Sequence, residues 1–170
     1  MIEDDEELIS LKRGLTARFE MKDMEEVKRF LGMEIEHEFN GIKIHQMDYI
    51  RTLLHRYGMQ DCNSVNTPMD SSIKLTTTTN SNAKIDFSQY QQYIGELMFA
   101  AIVTRPDIIF AVSQLSSYNS NPCQRHLIIA KHVLRYLKGT INLDIVYKRQ
   151  SAPKSPRGFW LNEIRFFDAD

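Results

Sequence analysis

The sequence predicts an α+β fold, with a β-hairpin near the N-terminal end, a mostly helical middle and a short strand pair at the end. Three observations predict it. In "MEIEHEFNGIKIH", Met33, Ile35 and His37 alternate with Glu34, Glu36 and Glu38 before Asn40-Gly41, the strongest two-residue hairpin signal. Residues 87–140 switch to a helical period, interrupted by Pro106 and Pro122. "LDIVYK" and "GFWLNEIRFFD" then return to β-branched and aromatic runs, separated by a loop containing Pro and Ser.

The first element is a helix. Leu8, Leu11, Leu15 and Phe19 recur at helical spacing, and Asp4 to Glu7 crowd the start, where the helix dipole favours negative charge. A short second helix is expected over residues 24–30, with Asp23 as its N-cap. The hairpin spans residues 31–46 and is expected to pack beside Leu8, Leu11 and Leu15. Directly after it, "MDYIRTLLHRYG" reads as an amphipathic helix closed by Gly58.

Periodicity is lost over residues 60–86, where "NSVNTPMDSS" and "TTTTNSNAK" are rich in turn formers and low in complexity. Three helical segments follow. The first places Tyr90, Ile94, Leu97, Met98 and Ala101 on one face, and the second starts at Pro106. The third has Asn121 as N-cap, Pro122 in its first turn, Gly139 past its end and a seam of Leu127, Ala130, Leu134 and Leu137. The chain therefore divides into 1–59 (helix, hairpin, helix), a flexible connector at 60–86, a helical region at 87–148, and a linker with a last strand at 149–170.

Composition narrows the function classes. With 42% hydrophobic residues in 170, the chain can build a core. No apolar run reaches the roughly 18 residues that span a bilayer, and the acidic N-terminus is unlike a signal peptide. Cys62 and Cys123 have no metal-ligand spacing and read as free thiols, so the expected setting is intracellular, cytoplasmic or nuclear. The net charge of −1 hides an asymmetry: residues 1–40 hold 6 Lys/Arg against 12 Asp/Glu, whereas residues 105–165 hold 10 against 3. A basic C-terminal part points towards a polyanion partner.

Lys131, Arg135 and Lys138 lie on one helix face at i, i+4 and i+7, with Arg125 and His132 nearby. Such a stripe either tracks phosphates or solvates the helix. His37 and His45 flank the hairpin and could face each other, although the five histidines form no ligand pattern with the cysteines. Asp4 and Asp5 need no metal, because acidic residues at a helix start are favourable in themselves.

The blocks "FEMKDMEEVKRFLGMEIEH", "GIKIHQMDYIRTLLHRYGM", "NTPMD", "YQQYIGELMFAAIVTRPDIIFAVSQLS" and "HLIIAKHVLRYLKGT" resemble, in order, the reverse transcriptase of copia-type retrotransposons. The resemblance runs from about residue 6 to 140, with an echo to residue 170. It implies a palm edge and hairpin followed by a thumb and connection, within a Pol polyprotein whose complete enzyme uses Mg²⁺. In that family a Tyr-x-Asp-Asp pair binds the metals, and the matching segment here lies downstream of it. Asp4 and Asp5 are therefore not those aspartates, and no cofactor is expected for this chain alone.

By the same resemblance the hairpin is the primer grip, which puts Leu31, Gly32 and Met33 against the primer backbone. Lys131, Arg135 and Lys138 would face the template–primer duplex. Arg105 is a further candidate for the duplex, or it pairs with Asp107 and holds its own turn. "FFDAD" resembles the first strand of ribonuclease H, with Asp168 at its first carboxylate and the rest of that site missing. Glu25 and Leu127 depart from the family, which usually has Gly and Trp there.

The expected activity is weak, sequence-independent binding of an RNA–DNA hybrid or duplex, without catalysis and without a membrane. The alternatives are a reused helical module that binds protein, or a non-functional transposon relic.

Overall fold

The computed structural model describes residues 2–22, 26–39, 41–70, 75, 86–148 and 165–167, with the backbone alone at 2–6 and 165–167. Among these, α1 (Ile2–Thr16) is followed by β1 (Arg29–Phe30), β2 (Met33–Glu38) and β3 (Gly41–His45). Then come α2 (Met47–Arg56), α3 (Phe87–Val103), a 3-10 turn (Pro106–Ile108), α4 (Ile109–Ser116) and α5 (Gln124–Gly139). β4 (Asp144–Lys148) and β5 (Arg165–Phe167) close the list, so the fold is mixed helix and strand as expected.

All five strands join one antiparallel sheet in the order β1-β2-β3-β4-β5. The final strand pair thus extends the hairpin instead of standing apart, since Ile42 pairs with Tyr147 and Ile44 with Ile145. Alternation sorts the two faces. Ile35, Ile44 and Ile145 line up across three strands on one face. Glu36 and Lys43 pair on the other.

Two turns differ from expectation. Residues 26–30 do not continue a helix; Arg29–Phe30 instead pairs with Met33 and Glu34. The proposed cap Asp23 lies outside the described residues. The two-residue connection is Leu31-Gly32, with φ of 48° and 77°. Positive φ at both central positions is the requirement of a type I′ hairpin turn, so a tight turn of this kind, nine residues before Asn40-Gly41, joins β1 to β2. The expected β2–β3 hairpin is found, with Glu38 paired with Gly41; Asn40, the first residue of the expected turn, lies outside the described residues. Gly41 is already in the strand. Its missing side chain serves another purpose. A Cβ there would lie 2.1 Å from the Tyr147 carbonyl oxygen, so β4 could not come alongside.

The core is helical. Ile50, Leu53 and Leu54 of α2 pack with Tyr90, Tyr93, Ile94 and Leu97 of α3, Val112 and Leu115 of α4, and Val133, Leu134 and Leu137 of α5. α2 ends in a Schellman arrangement: Gly58 at φ 62° donates to His55 O, and Met59 N donates to Leu54 O at 2.7 Å. α3 starts on Asp86, whose Oδ1 accepts from Ser88 N and Gln89 N. α5 begins two residues later than predicted, with Cys123 rather than Asn121 as N-cap, and its buried His126 accepts the Cys123 N–H on Nδ1 at 3.0 Å. Gly139 is the last residue of the helix, not the first beyond it. Neither cysteine is in a disulfide.

The apolar stripe of α1 is not buried. Leu8 is 49% and Leu11 61% exposed, so the predicted packing of this stripe against the hairpin is not found. Helical spacing identifies which residues share a face, and says nothing of whether a partner lies opposite. Among the described residues, no helix is long and apolar enough to cross a membrane.

Candidate nucleic-acid interface

Leu31, Gly32 and Met33 come together as the tip of the β1–β2 turn. Leu31 is 71% exposed, and a non-glycine residue in the left-handed region is uncommon enough to invite a reason. Gly32 rests on Phe99 of α3, where a Cβ would come within 3.2 Å of the ring. Tyr49 meets the same ring edge-on, with centroids 5.0 Å apart. Tyr49 is itself fixed by donating its hydroxyl to Glu96 O at 3.1 Å, and burial pushes its pKa up to about 12, so it stays protonated. The tip is therefore a firm backbone turn on an aromatic base, flanked by the exposed side chains of Phe30 and Leu31.

Behind the tip, the hairpin is tied to α2 by charge. Glu34 Oε1 accepts from Asp48 N at 3.0 Å in the first turn of α2, a cap supplied from another element because Gln46 makes none. Glu34 Oε2 also lies 3.0 Å from His45 Nδ1, out of line for a hydrogen bond. His45 Nε2 is 3.3 Å from Glu36. His37 and His45 do not face each other; the register pairs His37 with Ile42 and His45 with Glu34. Lys43 reaches the buried Asp144 at 2.8 Å, and this contact, above all its hydrogen bond, raises the Lys43 pKa.

Arg105 does not join the exposed basic residues. Its side chain is 0% exposed, donates to both carboxylate oxygens of Asp107 at 3.0 and 2.7 Å, and donates to Thr140 O at 2.9 Å. The Tyr136 ring covers the guanidinium at 5.5 Å. A side chain without solvent access cannot meet a duplex, so of the two readings open for Arg105 the pairing with Asp107 is the one found.

The α5 stripe is divided. Lys131 is exposed, whereas Arg135 Nε donates to Asn63 O at 2.7 Å and Lys138 Nζ to Cys62 O at 2.6 Å. His132 Nε2 sits 3.0 Å from Thr67 O. Successive carbonyls of the chain after α2 are thus held along α5 by its basic side chains. Their charges are not neutralised by this, because a carbonyl accepts a hydrogen bond without carrying a formal charge.

Asp168 lies outside the described residues. Among those described, no three His, Cys, Asp or Glu side chains are placed to hold a metal ion. Glu34 and Glu36 are turned onto His45 and Lys43, so the residues at hand do not fit a carboxylate-held Mg²⁺ pair. Sequence reasoning missed Phe99 and Tyr49 as the base of the tip. The available signal was the place of Phe99 off the Tyr90–Ile94–Leu97–Ala101 face of α3.

Comparison with known proteins adds independent findings. A family profile described as "Reverse transcriptase (RNA-dependent DNA polymerase)" matches residues 1–71. The chain is 39% identical over 136 residues to the "Retrovirus-related Pol polyprotein from transposon RE1" of Arabidopsis thaliana, covering 80% of this chain and 9% of that protein. It is 35% identical to the "Retrovirus-related Pol polyprotein from transposon TNT 1-94" of Nicotiana tabacum, covering 78% and 10%. It is 36% identical to the "Putative transposon Ty5-1 protein YCL074W" of Saccharomyces cerevisiae, covering 83% and 46%. The chain thus spans about a tenth of the length of the first two relatives. No solved structure matches it.

Proposed function

Because this chain belongs to the copia-type reverse transcriptase (RNA-dependent DNA polymerase) family, we propose that it holds nucleic acid without reading its sequence, as the primer-grip and thumb portion of such an enzyme. The Leu31-Gly32 tip carries this reading. A backbone turn that is exposed, left-handed at both positions and braced by Phe99 can lie close against a sugar–phosphate backbone, with Phe30 and Leu31 making apolar contact with sugars. Lys131 supplies phosphate attraction from α5, with Arg135 and Lys138 adding charge while they hold the connector carbonyls. The described residues offer no seat for a metal pair, so no catalytic step is assigned to them. No Tyr-x-Asp-Asp sequence occurs in the chain, and no primer extension is expected from it alone.

Anisotropy titration of a labelled RNA–DNA hybrid at several salt concentrations tests this. Binding should weaken as salt rises, and Leu31→Glu should weaken it further by setting a carboxylate beside phosphates. Lys131→Gln should reduce the salt slope by about one unit. A second reading, a module that binds protein, draws support from the exposed Leu8, Leu11 and Leu15 of α1. It predicts association that is indifferent to salt and lost on Leu11→Asp.

A further inference from the structure

α2 and α5 pack against each other and leave an open groove of about 620 Å³ between them. Leu54 and Ile141 form its apolar floor, and Arg51, His55, Gln60 and Lys138 stand around it. Among the described residues, no Asp or Glu lines it. Arg51 reaches the solvent-exposed Asp48, which Arg29 also reaches. Lys138 bonds to a neutral carbonyl and keeps its charge. From there Arg135 and Lys131 continue the cationic line along α5, about 10 Å from Lys131 to Lys138 at the helix rise of 1.5 Å per residue.

We propose that this groove is a binding site for a single-stranded nucleic acid, taking one unstacked nucleotide. Its base lies on Leu54 and Ile141, and the flanking phosphates lie on Arg51, His55 and Lys138. A cationic rim around an apolar floor matches the two halves of a nucleotide, whereas an acidic peptide would have no use for the floor. Sequence-tolerant strand binding combines these same elements, backbone-tracking charge and a surface for the bases. The groove shares Thr52 with the cavity at the Leu31-Gly32 tip but uses none of the tip's own residues, so a strand here would be held in addition to a duplex there. The inference rests on the nucleic-acid reading of the chain and adds a site to it.

The experiment uses the whole chain with a labelled single strand of mixed sequence and, separately, with the RNA–DNA hybrid. Arg51 and His55 are exposed, so Arg51→Gln/His55→Gln removes the α2 side of the rim without touching the core; Ile141→Asp places a carboxylate in the groove. Arg125→Gln, at the other end of α5, controls for net charge. We expect the double variant and Ile141→Asp each to weaken single-strand binding about tenfold or more, and Arg125→Gln to change it less than about twofold. Polyglutamate should compete poorly, and a photoreactive thymidine in the strand should crosslink within residues 51–60. Wild-type binding of strand and hybrid with unchanged affinity in the groove variants overturns the groove and leaves the chain-level reading standing. Equal competition by polyglutamate also overturns it. Binding of neither nucleic acid by the wild type overturns both.

Discussion

Arg105 and Asp107 form a two-point ion pair across one intervening proline, with Nε to Oδ1 at 3.0 Å and Nη2 to Oδ2 at 2.7 Å. The guanidinium uses two further donors on Thr140, at the C-cap of α5. Two short motifs that look unrelated in the sequence, "TRPDI" and "RYLKGT", are thereby halves of one buried contact. The contact locks the turn between α3 and α4 onto the end of α5. Its planar, forked geometry is one a lysine cannot reproduce.

Arg105→Lys should therefore destabilise the chain, because one ammonium cannot satisfy both Asp107 oxygens and Thr140 together. Arg105→Met should cost more, about 3–5 kcal/mol, since it strands Asp107 beside a buried apolar site. Urea unfolding followed by circular dichroism would measure both. A midpoint for Arg105→Met equal to that of wild type would show that the pair is dispensable.

The sheet holds a comparable pair in Lys43 and Asp144, whose carboxylate is almost fully buried. Lys43→Met is expected to destabilise by roughly 2–3 kcal/mol, less than a fully buried pair because Lys43 keeps some access to water. The double variant Lys43→Met/Asp144→Leu should recover most of that loss, because no unpaired charge is then left inside. A double-mutant cycle in urea gives the coupling directly.

Gly41→Ala tests why β4 lies beside the hairpin. The added methyl would meet the Tyr147 carbonyl, a backbone atom that cannot rotate away. The expected result is loss of the β3–β4 pairing, seen as faster amide exchange at Ile42 and Ile44, with a destabilisation of about 1–3 kcal/mol. Unchanged exchange at those amides would mean that the strands can part slightly at no cost.

Much of this fold was legible in the sequence where one residue type has one dominant local effect. Alternation set β2 and β3, Pro106 set the break between α3 and α4, and Gly58 set the end of α2. The errors arose where a local signal had two uses. Asn40-Gly41 suggested a turn glycine, but Gly41 lies in β3, where it is small because β4 crosses it, and the left-handed turn at Leu31-Gly32 was missed because a leucine gave no warning. Arg105 and Lys131 look alike as letters, and only packing separates a buried fork from an exposed charge. Likewise, spacing placed Arg135 and Lys138 on one face, but the carbonyls that they hold lie more than 70 residues away in sequence.

His126 makes stability depend on pH in a direction fixed by its hydrogen bond. Nδ1 accepts the Cys123 N–H, so the neutral ring with its proton on Nε2 is the form that fits. Burial first, and the charge of Arg125 second, lower its pKa below the ordinary 6.5. Protonation would set an N–H against the Cys123 N–H, inside a site closed on one side by the Tyr118 ring at 4.1 Å. The unfolded chain takes up its proton as pH falls through about 6.5, and the folded chain does so only at lower pH. Between those two values the unfolded state binds more protons, so stability rises with pH there. The contribution is complete above about 6.5 and is lost as pH falls towards the folded value. His126→Gln, which can still accept from Cys123 N through its amide oxygen, should be less stable at pH 7.5 but should lose less on going to pH 5.5. Urea midpoints for the two proteins at both pH values measure the difference. If both lose the same amount, another group carries the acid sensitivity and His126 is only a packing residue.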